Sequence, residues 1–230
     1  MTFSIIIPTL NEADNIAKLI HFFKTNTDNR LLEIIVVDAQ SKDNTAALAQ
    51  TAGAKIMYAS RRGRAIQMNM GASIARGEVL YFVHADCLPP PSFLDDIEQA
   101  FTEGYALGCY RYRFNSQSFM LRINSYFTRF SPLWCRGGDE TLFIKKHDFE
   151  QLNGFDESYC IMEEYDFIKR SQGILPFKII PKYALVSARK YDTNSWLRVQ
   201  IANFIAFNMF RLGISTSIIA QTYRKMLNYR

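Results

Sequence analysis

Short apolar runs alternate with helix-periodic stretches through the first hundred residues. Phe3–Ile7 is an apolar run stopped by Pro8. Ile16, Leu19, Ile20 and Phe23 then recur at i, i+3, i+4 and i+7, which predicts an amphipathic helix. Asn11 stands at its cap position and Asp14 is a short-armed capping-box partner. Glu33–Val37 is β-branched and suits a parallel strand buried on both faces; it stops at Asp38. The stretch SKDNTAALAQTAG predicts an Ala-rich helix closing near Gly53. Lys55–Tyr58 reads as a third strand, Arg64–Ala75 as a helix with Gly77 beyond it, and Val79–Val83 as a fourth strand. The segment LPPPSF turns into a helix around Phe93–Phe101.

This rhythm predicts the α/β class: a mostly parallel twisted sheet flanked by helices. Ligands of such sheets bind beyond the carboxyl ends of the strands. Pro8–Glu12, Asp38–Ser41 and His84–Asp86 all fall there, on one crevice. The second half is less regular. Tyr105–Phe114 and Thr141–Ile144 read as strands, KHDFEQLNGF and EEYDFIKRSQG as helices. Phe177–Ile180 and Ala184–Ala188 read as two strands split by Pro181, and Trp196–Arg211 and Ser217–Tyr229 as a pair of helices joined at Gly213.

A chain of 230 residues suits one such domain with a C-terminal helical appendage. The net charge of +5 leaves a phosphate-bearing ligand, an anionic membrane surface and an unspecialised basic surface open. Arg61-Arg62-Gly63-Arg64 is the only tight basic cluster, so no nucleic-acid partner is expected. Cys87, Cys109, Cys135 and Cys160 fit neither a zinc site nor a disulfide framework, which points to reduced thiols and a cytoplasmic setting. The opening residues carry no basic leader pattern, and Ile201–Ala220 is too polar for a membrane span.

No Gly-x-Gly-x-x-Gly follows the first strand, no Walker lysine exists and no Gly-x-Ser-x-Gly elbow occurs. Four other groups carry chemistry. Asp38 is placed either to recognise a base or ribose or to cap the following helix; Asp43 or Asn44 already supplies that cap. Asp86 is either a carboxylate ligand for a divalent cation held mainly by phosphates or a turn residue. Glu163, Glu164 and Asp166 crowd three carboxylates into four residues, which suits a tuned general base or a favourable helix start. Arg64 and Gln67, one turn apart beside Gly63, suit a phosphate or a solvated basic turn.

Together the stretches SIIIPTLNEADNI, EIIVVDAQSKDNT, GRAIQMNMGASIARGEVLYFVHAD, GGDETLFIKKHDFEQLNGFDE and IMEEYDFIKRS resemble family 2 glycosyltransferases of the GT-A fold, over residues 3–190. The likeness is to a short bacterial branch with His-Ala-Asp in place of Asp-x-Asp. The resemblance implies a catalytic domain over 1–190, with a nucleotide-binding half at 1–103 and an acceptor-binding half at 104–190, and a helical extension at 191–230. It implies that Pro8, Thr9, Asn11, Glu12, Asp38, Gln40, Arg64, Gln67, His84 and Asp86 line the nucleotide-sugar pocket. Asp86 takes the Mn²⁺ or Mg²⁺ role; His84 either donates to ribose or phosphate or joins the metal. Glu164 stands at the base position, with Glu163 and Asp166 as alternatives, and Gly138, Asp139 and Glu140 on the acceptor side.

The activity implied is an inverting, metal-dependent transfer of a single sugar from a nucleotide-diphosphate sugar to an acceptor hydroxyl, since the Gln-x-x-Arg-Trp signature of processive synthases is absent. A catalytically weak binding protein on the same fold and a nucleotidyltransferase are the alternatives. Residues 196–230 combine aromatic and basic side chains. They suit a peripheral membrane contact and a lipid-linked acceptor, or packing on the domain or on a second copy in a homodimer.

Overall fold

The β-branched runs become the centre of a single sheet. A computed structural model describes residues 1–135 and 141–228. Its strands are β1 (Phe3–Thr9), β2 (Leu31–Asp38), β3 (Lys55–Tyr58), β4 (Val79–Phe82), β5 (Cys87–Leu88), β6 (Leu107–Phe114), β7 (Leu142–Lys145) and β8 (Phe177–Val186). Its helices are α1 (Ala13–Thr25), α2 (Thr45–Thr51), α3 (Arg64–Ile74), α4 (Phe93–Thr102), α5 (Phe119–Phe127), α6 (Lys146–Gln151), α7 (Glu163–Ser171), α8 (Trp196–Arg211) and α9 (Thr216–Met226). The strand order is β3-β2-β1-β4-β7-β6-β8-β5. The first four strands pair in parallel, as the alternating pattern predicts. Beyond β4 the sheet is mixed: β7 runs antiparallel to β4 and β6, while β8 runs parallel to β6.

Two apolar layers cover the sheet, and the period-2 geometry of strands divides the side chains between them. Ile5, Ile7, Val36 and Tyr81 face α1 and α4, against Leu19, Phe23, Phe93 and Ile97. Ile6, Ile35, Val37 and Phe82 face α3, α6 and α7, against Met68, Phe149 and Phe167. Gly71 lets α3 lie close on the strands. A Cβ there would sit 2.5 Å from Ile6 Cγ2 and 3.3 Å from Val37 Cγ2.

Several boundaries differ from the sequence pattern. Asn11 does not cap α1. It adopts a left-handed φ of +56°, and Glu12 stands at the cap position without a side-chain capping bond. Pro181 does not split the last strand. The register against β6 jumps from Ile180 to Tyr183, so a bulge absorbs Pro181, which has no N–H to donate. Cys87–Leu88, read as part of a turn, forms a short strand beside β8.

The C-terminal helices pack on the rest of the chain. Val199, Ala202, Ala206 and Phe210 of α8 cluster with Ile219 and Tyr223 of α9 and with Met162, which precedes α7. Trp196 Nε1 donates to Asn124 Oδ1 of α5 at 3.2 Å. Among the described residues no helix is long and apolar enough to cross a membrane.

Candidate active site

Hydrogen bonds knit the carboxyl ends of β1 and β2 into one rim. Asp38 is 1% exposed. Its carboxylate accepts from Thr9 Oγ1 (3.1 Å) and from Ser41 N (2.8 Å) and Oγ (2.5 Å). It therefore holds the loop after β2. Asn11 bridges the same loop: its N–H donates to Ser41 Oγ and its Oδ1 accepts from Lys42 N, both at 2.8 Å. Gln40 is left-handed at φ +61°. The buried Gln67 sends its Nε2 to the carbonyls of Thr9 (2.8 Å) and Val37 (2.7 Å). Gln67 thus clamps two strand ends, where the sequence pattern placed it against phosphate. Pro8 is buried within β1.

The acidic cluster is divided among three partners. Glu163 and Glu164 occupy the first turn of α7 and are nearly buried, where the helix dipole favours negative charge. Glu164 Oε1 lies 3.0 Å from His84 Nε2. Arg64 Nε lies 2.6 Å from Glu163 Oε1, so the guanidinium expected at phosphate is paired with a carboxylate. Asp166 accepts from Arg170 Nε at 2.7 Å, and the same guanidinium donates to the Leu152 and Gly154 carbonyls. That network ties α7 to the end of α6 and commits Asp166 to it. Met162, just before the pair, is left-handed at φ +69°. A left-handed non-glycine costs about 1–2 kcal/mol, which burial of Met162 against α8 and α9 offsets.

Burial pushes the Glu164 carboxyl above its ordinary range, against the opposing pull of His84. Burial, the largest single influence, lowers the His84 imidazole, but the charge and hydrogen bond of Glu164 together with the Asp86 charge raise it on balance. Both shifts run the same way: the pair keeps its proton to higher pH than free side chains would. The Nε2 contact is neither of the two expected from sequence, ribose or metal.

Asp86 closes the crevice on the other side. Its Oδ2 lies 3.1 Å from Arg189 Nη2. Arg189 also grips Glu12 with both terminal nitrogens, Nη1 donating to Oε2 at 3.0 Å. The pairing of β5 with β8 brings Arg189 here, with Ser187 N donating to Asp86 O at 3.2 Å. Sequence reading missed Arg189 because this antiparallel pairing of a two-residue strand leaves no periodic trace. The one available signal was a basic residue just past the end of the last strand. Gly138, Asp139 and Glu140 lie outside the described residues.

Residues 4–155 match the family model described as Glycosyl transferase family 2. The chain is similar to glucosyl-3-phosphoglycerate synthase of Mycolicibacterium paratuberculosis, 31% identical over 104 residues, which is 40% of this chain and 31% of that protein. It is also similar to dolichol-phosphate mannosyltransferase of Pyrococcus furiosus, 30% identical over 45% of this chain and 31% of that protein. The matches thus span about a third of these curated relatives. Among solved structures, glucosyl-3-phosphoglycerate synthase from Mycobacterium tuberculosis with Mn²⁺, UDP and glucosyl-3-phosphoglycerate superposes with a TM-score of 0.66 at 20% identity, over 93% of this chain and 80% of that one. A mannosyltransferase from Pyrobaculum calidifontis with GDP-mannose and Mn²⁺ gives 0.67 at 17% identity, over 89% and 61%. The sheet and its flanking helices are those of the GT-A fold, and the chain belongs to glycosyl transferase family 2.

Proposed function

We propose that the protein transfers a single sugar from a nucleoside-diphosphate sugar to an acceptor hydroxyl, with inversion at the anomeric carbon. One observation carries this reading: a buried carboxylate, Glu164, faces His84 at the end of the strand that leads into Asp86. A family 2 site needs a base and a diphosphate anchor at that edge, and these residues supply both. Pro8, Thr9, Asn11, Glu12, Asp38 and Gln40 shape the nucleotide side of the pocket. Asp38, Asn11 and Gln67 act through the loops they hold.

The residues present fit a divalent cation brought with the diphosphate. Among the described residues no three His, Cys, Asp or Glu side chains form a metal cage. Mg²⁺ and Mn²⁺ commonly take one or two protein carboxylates and complete their shell with phosphate and water. Asp86 would hold the ion, and the ion would offset charge growing on the leaving diphosphate. His84 is turned to Glu164, so its part is to position and poise the base. Glu164 takes the acceptor proton as the hydroxyl oxygen bonds to the anomeric carbon and the bond to the diphosphate oxygen breaks. Arg64 pairs with Glu163, beside the base. Gly138, Asp139 and Glu140 are the proposed acceptor-side residues, and a lipid-linked acceptor agrees with the surface argued below.

The test is thermal stabilisation by UDP-, GDP- and dTDP-sugars with and without Mn²⁺, followed by turnover of those that bind. A binder stabilises the fold by mass action. No stabilisation by any donor, with metal or without, overturns the reading. Binding without turnover on any acceptor class favours a nucleotide-sugar-binding role instead.

A further inference from the structure

Two segments of the chain contain no acidic residue at all. Residues 104–138 carry Arg111, Arg113, Arg122, Arg129 and Arg136, and residues 193–230 carry Arg198, Arg211, Arg224, Lys225 and Arg230. Ten cations thus stand with none of the 22 acids. The fold brings the described parts of the two segments, 104–135 and 193–228, together. Trp196 of α8 bonds Asn124 of α5, and Asn124 and Gln200 of α8 both donate to Tyr191 Oη. Among the described residues no carboxylate pairs with Arg122, Arg129, Arg198 or Arg211.

Large apolar side chains are exposed on the same elements. Leu197, Ile201 and Phe204 form a stripe at i, i+4 and i+7 on the face of α8 opposite its packed side, and Phe204 is 70% exposed. On α5 and just beyond it Phe119 and Trp134 are 69% and 57% exposed. Phe127 and Trp134 rings touch at 5.8 Å, and Arg129 lies 3.9 Å over the Tyr126 ring. Exposed apolar surface of this extent, rimmed by charge of one sign, marks an interaction site.

We propose that α5, α8 and the segment around Trp134 dock the protein on an anionic lipid bilayer. The basic side chains would meet acidic headgroups, and the aliphatic and aromatic stripe would sit at the acyl boundary. A second copy of the chain is a poorer occupant, because it would set one cationic face against another. A nucleic acid would satisfy the arginines but leave Leu197, Ile201 and Phe204 uncovered. The surface lies beside the start of α7: Leu133 packs in the cluster that holds Met162. Docking there would set the start of α7, which carries Glu164, beside the membrane. The docking itself needs neither donor nor metal, so it stands or falls separately from sugar transfer.

The experiment is co-sedimentation of the full chain, without nucleotide, with vesicles of phosphatidylcholine alone and of equal parts phosphatidylcholine and phosphatidylglycerol. The protein is expected to pellet with the acidic vesicles and to stay in solution with the neutral ones. Leu197→Gln with Phe204→Gln, both at exposed positions, should lower the bound fraction about tenfold. Trp134 emission should shift to the blue on acidic vesicles, and Trp134→Phe should remove that shift. Three results overturn the proposal: no binding to acidic vesicles at low salt, binding that the paired glutamines leave intact, or a solution dimer that they dissolve. The last would assign the stripe to a second copy.

Discussion

His84 Nε2 stands 3.0 Å from Glu164 Oε1, with both side chains nearly buried. The contact joins the end of the fourth strand to the first turn of α7 across 80 residues of sequence. It fixes where the base sits and how tightly it holds a proton. Glu164→Gln keeps the size and the bond to His84 but removes the basic oxygen. Transfer should fall by roughly 10²–10⁴-fold, while stabilisation by the donor persists. Full turnover in this variant would move the base elsewhere, with Glu163 the next candidate.

The pH profile of transfer follows from the same contact. Glu164 must shed its proton to act, so turnover should rise with pH along an acid limb set by the raised pKa of the pair. The imidazole opposes the effect of burial on Glu164. His84→Gln removes the largest influence opposing burial and leaves only Arg64 on that side, so the limb should move to higher pH. A limb that moves down would show that His84 does not hold Glu164 toward its charged form.

Stability should depend on pH with a definite sign. Both groups are raised above their ordinary values, 4.5 for the glutamate and 6.5 for the histidine. From pH 4.5 upward the unfolded chain releases protons that the folded pair keeps, so stability falls as pH rises. The paired variant Glu164→Gln with His84→Gln lacks this loss. Melting temperatures between about pH 5 and about pH 8 should therefore show wild type losing ground to the variant. A wild type that gains on the variant across that range would require a pair stabilised in its deprotonated form.

The first four strands and α1, α3, α4 and α7 were legible because apolar period and strand-end punctuation act locally. Three strand ends with polar residues placed the crevice. What the pattern could not convey is which polar atom meets which. Asp38 and Gln67 read as ligand groups from their places at a strand end and in a helix's first turn, and the pattern held no sign of their bonds to Ser41 and to the Thr9 carbonyl. His84–Glu164 and Arg189–Asp86 join residues 80 and 103 positions apart, set by sheet order rather than by spacing. Pro181 looked like a strand break because its missing N–H is a local signal, whereas the bulge that tolerates it depends on β6.

Gly71 gives a stability test of the α3 contact. In an exposed helix Gly→Ala gains up to about 1 kcal/mol. Here the added methyl would sit 2.5 Å from Ile6 Cγ2, and Ile6 is fully buried in a central strand. Overpacking should outweigh propensity, with a net loss of about 1–3 kcal/mol by urea denaturation. Donor stabilisation should weaken too, since Gln67, one turn earlier, clamps the Thr9 and Val37 carbonyls. A Gly71→Ala variant as stable as wild type would mean that α3 is not held against Ile6.

Arg189 gives the remaining prediction, about the cation site. Its guanidinium contacts both Glu12 and Asp86, so the carboxylate suited to a metal already faces a fixed positive group. A divalent ion arriving alone must displace that contact and gains a single protein carboxylate for doing so. A nucleoside diphosphate changes the balance, because its phosphate oxygens supply further ligands and give the guanidinium another anionic partner. Mn²⁺ alone, followed by its paramagnetic resonance signal, should therefore bind wild type weakly and Arg189→Ala about tenfold more tightly, about 1.4 kcal/mol. The same variant should lose stability, because Glu12 is buried and left without its cation. Adding Asp86→Asn to Arg189→Ala should abolish the gained Mn²⁺ signal. Unchanged Mn²⁺ affinity in Arg189→Ala would mean that guanidinium and metal do not compete for Asp86, and that Arg189 serves only to hold the loop after β8 against Glu12.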